Sequence, residues 1–308
     1  MNKEHEQNKS KNAQNKAAIV AIIGRPSAGK STFLNTASNE KISIVSAVPQ
    51  TTRNAVKGIV HSSFGQLVFV DTPGYHESNK KFNIRLKAIT KEQLDAADAV
   101  LYIIDSTRKP GGEEDLTANL VCNYTNKTII ALNKTDLPAS NTAVSRVFLS
   151  KKLPTLSANN IFEISAKEDE GIKEVLKALY KLAPIGENLY PENYYTDQEV
   201  DFRIAEVIRE QAINRLQEEI PHSIYIDISD MEWRRNGKTL WVRAFLVVER
   251  ESQKGIVIGK GASMIKTIRV ESIKACRKLF DYRVDIDLQV KVNKNWRKKD
   301  YILDTVLR

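Results

Sequence analysis

Gly24-Arg25-Pro26-Ser27-Ala28-Gly29-Lys30-Ser31 decides how this chain is read. The octet fits G-x-x-x-x-G-K-[ST]. It follows the apolar run Ala18–Ile23 and opens a helical stretch, Lys30–Ala37. Strand, loop and helix in that order are the context a phosphate-binding loop needs. Its glycines let backbone N–H groups wrap around phosphates, and the helix N-terminus adds partial positive charge at the same place. Gly24, Ser27, Ala28, Gly29 and Thr32 are expected to line the phosphates. Lys30 is expected to reach the β- and γ-phosphates and the Ser31 hydroxyl to ligate magnesium. A near-repeat at Gly255–Gly261 (GIVIGKG) is one residue short and has Gly261 where the hydroxyl should be, which excludes a second nucleotide loop.

Outward from the octet the same rhythm recurs. Apolar runs at Gln66–Val70, Ala99–Ile104, Thr128–Leu132 and Ile161–Ile164 alternate with helical stretches such as Phe82–Ala96 and Gly171–Leu182. Nearly all-apolar strands separated by amphipathic helices predict an α/β domain with a mostly parallel sheet covered on both faces. Three of the runs end in further motifs. Asp71-Thr72-Pro73-Gly74 puts a carboxylate where magnesium is held, and an N–H at Gly74 that can touch a γ-phosphate and lose it on hydrolysis. Asn133-Lys134-Thr135-Asp136 offers Asp136 to N1–H and the exocyclic amine of guanine, two donors that adenine lacks. Sites built that way discriminate by ~10⁴ or more. Ser165-Ala166-Lys167 supplies a backbone N–H for the guanine oxygen and a lysine stem beside the ring. The four motifs in this order predict a site for GTP and GDP with Mg²⁺.

The chain has 308 residues, 42% of them hydrophobic, and a formal charge of +9. That is enough apolar material for real cores, so wholesale disorder and a fibrous protein are excluded. The charge is uneven: net +5 over residues 1–195, −6 over 196–230 and +10 over 231–308. A basic final quarter points to a polyanion, nucleic acid first and an anionic membrane surface second. Cys122 and Cys276 are isolated, which excludes a disulfide framework or zinc site and predicts a reducing cytosol. The first sixteen residues are polar and lack the apolar core of a signal peptide. The run Ala17–Ile23 is far short of the ~20 residues that span a bilayer. The predicted organisation is a disordered tail (1–16), a nucleotide-binding domain (17–183), a linker rich in Pro and Tyr (184–198) and a second domain (199–308). In the latter a long helix (Glu199–Glu219), strands at Ile224–Ile228 and Leu240–Val248, a helix–turn–helix segment (Gly255–Leu279) and an alternating strand (Val284–Val292) predict a smaller α+β unit.

The motif order resembles the GTPases of the translation-factor-related class. Lys41-Ile42-Ser43-Ile44-Val45-Ser46 followed by Pro49-Gln50-Thr51-Thr52-Arg53 resembles the first switch of the Era family. The likeness continues through Pro191-Glu192-Asn193-Tyr194, Phe202–Gln211, Gly255–Gly261 and Asn295-Trp296-Arg297-Lys298, covering everything from Ala17 onward. The resemblance implies a P-loop GTPase domain followed by a type-II KH domain. It implies that Thr52 contacts the γ-phosphate and its magnesium, and that Lys30, Thr52 and Gly74 serve hydrolysis. It also implies an RNA clamp, which in KH domains grips four nucleotides with a G-x-x-G turn. Here that turn is Gly259-Lys260-Gly261-Ala262, with Ala262 in place of the family's glycine. Ile258, with Val257 and Ile265, would line the base groove or the core. Lys260, Lys266, Arg269, Lys274, Arg277, Arg297, Lys298 and Lys299 would hold phosphates or form a solvated face.

The family's RNA is the 3′ end of 16S ribosomal RNA and its pathway is maturation of the 30S subunit. The resemblance further implies peripheral membrane association, for which the sequence supports at most a weak electrostatic contact; a cytoplasmic monomer with no DNA partner is expected. Two departures bear on chemistry. The glutamine that orients water in Ras-type GTPases is Tyr75 here, followed by His76, and the asparagine that ligates potassium in relatives is Ser27. Slow intrinsic hydrolysis, accelerated on the ribosomal partner, is expected, and Ser27 leaves potassium activation open. A GTP-gated RNA-binding module with negligible turnover is a second reading. A relative acting in tRNA modification or large-subunit assembly is a third, opposed by the single phosphate loop and single KH-like unit.

Overall fold

A computed structural model describes residues 15–46, 52–73 and 81–307. Gly74, Tyr75 and His76, like the first fourteen residues, lie outside the described residues. The chain divides into two compact units. The first comprises Met1–Ile42, Ala55–Glu77 and Ile89–Asp197, and the second comprises Ser43–Asn54, Ser78–Ala88 and Gln198–Arg308.

The elements up to the connector are β1 (Lys16–Ile23), α1 (Lys30–Ser38), β2 (Val56–Ser62), β3 (Gly65–Asp71), α2 (Lys81–Ala96), β4 (Ala99–Asp105), α3 (Gly112–Val121), β5 (Thr128–Asn133), α4 (Thr142–Lys152), β6 (Ile161–Glu163) and α5 (Ile172–Leu182). Six strands form one sheet in the order β2-β3-β1-β4-β5-β6. Every neighbouring pair is parallel except the β2–β3 hairpin. Residues of β3, β4 and β5 are buried throughout, as expected of strands with helices on both faces. β2, α3 and α4 carry weak sequence signals. Gly58 interrupts the alternation of β2 because the Leu34 side chain fills the place its Cβ would take, 2.5 Å away. α3 (GEEDLTANLV) opens on three acidic residues, which suit the positive helix N-terminus but hide its apolar face.

The stretch after α5 is tied down in the first unit. Gln66 of β3 is buried; its Oε1 accepts the N–H groups of Leu189 and Tyr190, and its Nε2 donates to the Tyr190 carbonyl at 2.8 Å. Tyr190 and Lys57 both bond Asp197.

The second unit contains α6 (Val200–Ile213), α7 (Ile220–Ser223), β7 (Tyr225–Arg234), β8 (Thr239–Val248), α8 (Glu251–Ile258), α9 (Ser263–Leu279), β9 (Arg283–Val292) and α10 (Asp300–Val306). The expected single helix Glu199–Glu219 is shorter. α6 ends at Ile213, Glu218 turns left-handed (φ 55°), and Pro221, which cannot continue a preceding helix, sits in the first turn of α7. Strand order is β7-β8-β9, with β7/β8 antiparallel and β8/β9 parallel. The alternation in β9 is realised: Val284, Ile286 and Leu288 are buried against Ile208, Val242, Leu246 and Ile268, while Asp285, Gln289 and Lys291 are exposed. Cys276 lies in this core, where burial pushes its thiol up to about 12. It is an inert packing residue.

Candidate guanine-nucleotide site and RNA clamp

Four motifs converge at the C-terminal ends of the parallel strands, the edge where α/β sheets hold ligands. The phosphate loop follows β1, Asp71 ends β3, Asn133 ends β5 and Ser165 follows β6. Two glycines are required by space. A Cβ on Gly24 would stand 2.3 Å from the Ile103 carbonyl oxygen, and one on Gly29 (φ 100°) would stand 2.2 Å from the Asn133 side-chain nitrogen. Ser27 also adopts a left-handed conformation, φ 61°, at the exposed tip of the loop.

Lys30 curls over its own loop. Its buried Nζ donates to the carbonyls of Gly24 (3.0 Å) and Arg25 (3.2 Å). Burial lowers its pKa, against the opposing fields of Asp71 and Glu114. A phosphate entering the loop would supply the negative charge that favours the ammonium form. The Ser31 hydroxyl donates to Asp71 Oδ2 at 2.6 Å. A hydroxyl beside a carboxylate is an all-oxygen donor set, the chemistry that hard Mg²⁺ takes together with substrate phosphates.

At the base end, Asn133 bridges two loops. Its Nδ2 donates to the Ala28 carbonyl at 2.8 Å and its Oδ1 accepts the Ala166 N–H at 2.9 Å. Asp136 Oδ1 accepts the Ser165 hydroxyl at 2.7 Å. Asp136 itself is exposed, and Lys167 beside it is exposed.

A charged network behind the loop has no motif to announce it. Arg25, 3% exposed, places Nε 3.2 Å from Glu114 Oε2 and donates to the Asp105 carbonyl at 3.0 Å. Glu114 accepts the Tyr102 hydroxyl, and burial raises the pKa of both groups. Asp105 in turn accepts Lys134 Nζ at 2.7 Å. The loop arginine is thus joined to the lysine of the guanine motif through Asp105 at the end of β4, and is held from α3 by Glu114. The only sequence signal was a polar residue closing an apolar strand.

Of the first-switch residues, 41–46, Thr52 and Arg53 are described; Thr52 and Arg53 are buried and belong to the second unit. Arg53 donates to the carbonyls of Ile224 (2.6 Å), His222 (3.2 Å) and Pro221 (3.4 Å), closing the C-terminal end of α7. Its guanidinium lies 5.6 Å from the Phe82 ring centre and 5.9 Å from that of Trp296. The Trp296 indole N–H donates to the Ser223 carbonyl at 2.8 Å. Two motifs 243 positions apart in sequence therefore meet in one aromatic–guanidinium stack.

The G-K-G-A turn joins α8 to α9. Gly259 has φ 75°, Gly261 φ 59° and Ala262 φ 60°. Three left-handed residues in four turn the chain sharply, and only Ala262 carries a Cβ there, which L-residues resist. Lys260 and Lys266 are exposed and Ile258 is half-buried. Lys298 is exposed. Arg269 donates to the Ile286 carbonyl at 3.2 Å, and Arg297 is paired through two nitrogens with Glu249. Those last two guanidinium groups are therefore engaged within the unit. Val257 is fully buried in the core, and Ile265 packs partly buried against it.

Residues 19–134 match the family described as 50S ribosome-binding GTPase, and residues 219–297 match the KH domain. GTPase Era of Treponema denticola is 57% identical over 290 residues, covering 94% of this chain and 99% of that protein. The chain belongs to the Era family of GTPases. Era of Treponema pallidum (strain Nichols) is 42% identical, covering 96% of this chain and 98% of its own. Two solved Era structures, each 31% identical, align closely. One is an Aquifex aeolicus Era variant bound to GDP and AlF4⁻ (TM-score 0.88; 94% of this chain, 98% of that one). The other is Era in complex with MgGDPNP and nucleotides 1506–1542 of 16S ribosomal RNA (TM-score 0.89; 95% and 98%). The expected architecture, a P-loop GTPase domain followed by a KH domain, is the Era architecture.

Proposed function

We propose that this protein is a GTP-hydrolysing switch that grips the 3′ end of 16S ribosomal RNA and assists maturation of the 30S subunit. The observation that carries the reading is the presence of both sites in one chain. Asp136 is held by Ser165 to read guanine, and a left-handed G-K-G-A turn between α8 and α9 suits close approach of RNA backbone. In this reading Gly24, Ser27, Ala28, Gly29 and Thr32 line the phosphates, and Asn133, Lys134, Ser165, Ala166 and Lys167 complete the base site. Lys30, Thr52 and Gly74 carry hydrolysis. Magnesium, held by Ser31, Asp71 and Thr52, neutralises the charge developing on the phosphates. Lys260, Lys266 and Lys298 present charge to RNA phosphates beside Ile258.

The isolated rate is slow and rises on the ribosomal partner, and Ser27 stands where the family has its potassium ligand. The protein acts as a cytoplasmic monomer, with at most a weak charge-driven contact to the membrane. Among the described residues no helix is long and apolar enough to cross one.

Crosslinking the intact protein to cellular RNA in its GTP-bound state tests the substrate. Signal concentrated at the 3′ end of small-subunit RNA supports it, and signal elsewhere overturns it. GTP turnover with and without 30S subunits, in sodium and in potassium, tests the switch. A fast isolated rate, or none with subunits present, contradicts it.

A further inference from the structure

One end of the three-stranded sheet carries rings and cations that the clamp does not use. The β7–β8 hairpin turns through the four residues 235–238, of which Arg235, Asn236 and Gly237 are left-handed (φ 53°, 55° and 80°). Just before the turn Trp233 is 52% exposed. Its ring and that of Tyr282 form a T-shaped pair, 4.8 Å between centres and 68° apart, and Tyr282 stacks on Phe280 at 5.2 Å and 28°. The Arg203 guanidinium closes the row, 4.9 Å from the Phe280 ring. Packing against Tyr282 thus holds the indole while half of it faces solvent.

Positive charge surrounds this row. Arg235 and Lys238 lie in the turn, Arg277 and Lys278 are exposed in the last turn of α9, and Arg283 opens β9 beside them. None of the five forms an ion pair among the described residues. The acidic side chains nearest in sequence are Glu232, already paired with Arg234, Asp281 and Asp285. α9 runs from the G-K-G-A turn to this end over 17 residues, so the row lies roughly 25 Å along the helix from the clamp at 1.5 Å per residue.

We propose that Trp233, backed by Tyr282 and Phe280, is a second RNA contact: a stacking platform for unpaired bases outside the nucleotides held in the clamp. A fixed aromatic face accepts any base, and unpaired cations around it neutralise the flanking phosphates. The charge is complementary to a polyanion, which unpaired RNA supplies together with bases that stack on an exposed ring. The proposal rests on the RNA-binding reading above and adds a second place on the same unit.

The test compares full-length protein with Trp233→Ala and Trp233→Phe on two unstructured RNAs. One has about six nucleotides, enough for a four-nucleotide clamp. The other has about twenty and reaches past the site sizes usual for one small domain. Trp233→Ala is expected to weaken the long RNA by about tenfold, leave the short one unchanged, and be rescued by Trp233→Phe. Ultraviolet crosslinking of the unaltered protein is expected to join bases of the long RNA to Trp233 or Tyr282, which keeps the test valid should Trp233→Ala not fold. Equal binding of the long RNA by both proteins, without crosslinks at these rings, overturns the platform while leaving the clamp intact. An equal loss on both RNAs shows a structural effect and also overturns it. Failure of the unaltered protein to bind either RNA overturns both readings. Loss of binding to phosphatidylserine vesicles with RNA binding untouched assigns the face to lipid and overturns the proposal.

Discussion

Ser165 Oγ donates to Asp136 Oδ1 across 2.7 Å and accepts the Glu168 N–H at 3.2 Å, so the guanine-reading carboxylate is aimed by a residue 29 positions later. Replacing Ser165 by Ala removes the aim and keeps the charge. GTP affinity should fall by about tenfold, the value of one hydrogen bond to a charged group. Asp136→Asn reverses one of the two base contacts, and the preferred base should shift from guanine to xanthine. Equilibrium titration with GDP and XDP reads both effects. Unchanged affinity in the Ser165 variant would show that Asp136 needs no support.

Asn133 joins the phosphate loop to the Ser165–Lys167 loop through Ala28 and Ala166. Asn133→Ala leaves a buried carbonyl and a buried N–H without partners. The cost is ~1–3 kcal/mol per group, here felt in nucleotide affinity as well as in stability. Both Tm and the Kd for GDP should worsen. If Tm falls while Kd holds, the bridge serves folding alone.

Ala262 is held at φ 60° in the clamp turn. Ala262→Gly relieves a left-handed conformation that costs an L-residue ~1–2 kcal/mol, offset in part by the greater freedom glycine has when unfolded. Tm should rise slightly, and affinity for a short RNA should hold or improve. A lower Tm would mean that the methyl group packs usefully there.

Asp105 feels burial, which raises its pKa, but the hydrogen bonds from Lys134 and Thr107 outweigh it and hold the group below the ordinary carboxylate value. A depressed acid stabilises the fold at pH above its unfolded pKa, and that stability is lost as pH falls through the folded value. Denaturant unfolding from pH 7 down to pH 3 should show the loss beginning below about pH 4. Asp105→Asn should be less stable at neutral pH and flatter in acid. The same acid slope in both proteins would exclude Asp105 as its source.

The nucleotide site was legible because its chemistry is local. A phosphate loop needs a glycine where Asn133 or Ile103 leaves no room for a Cβ, a lysine, and a hydroxyl at set spacings, and each is written within eight residues. Buried parallel strands announce themselves as apolar runs, so the sheet could be read as well. The elements that escaped were those whose identity rests on neighbours. β2 takes its form from pairing with β3 across a glycine that Leu34 fills, and the helix after Glu199 breaks at Glu218 and Pro221.

By itself the sequence determined the motif order, the guanine preference, the basic final quarter and the kinship with Era. These depend on residue types at short spacing and on charge counts, which folding does not alter. Only the tertiary structure decided which charges are already engaged and which distant residues meet. Arg297 is held by Glu249 and Arg269 by a strand carbonyl, whereas Lys260 and Lys266 stay exposed. Arg53 lies against both Phe82 and Trp296, and Trp233 stands beside Tyr282, across gaps no local pattern records. Pairing and burial depend on distance in space, and the fold alone sets that distance.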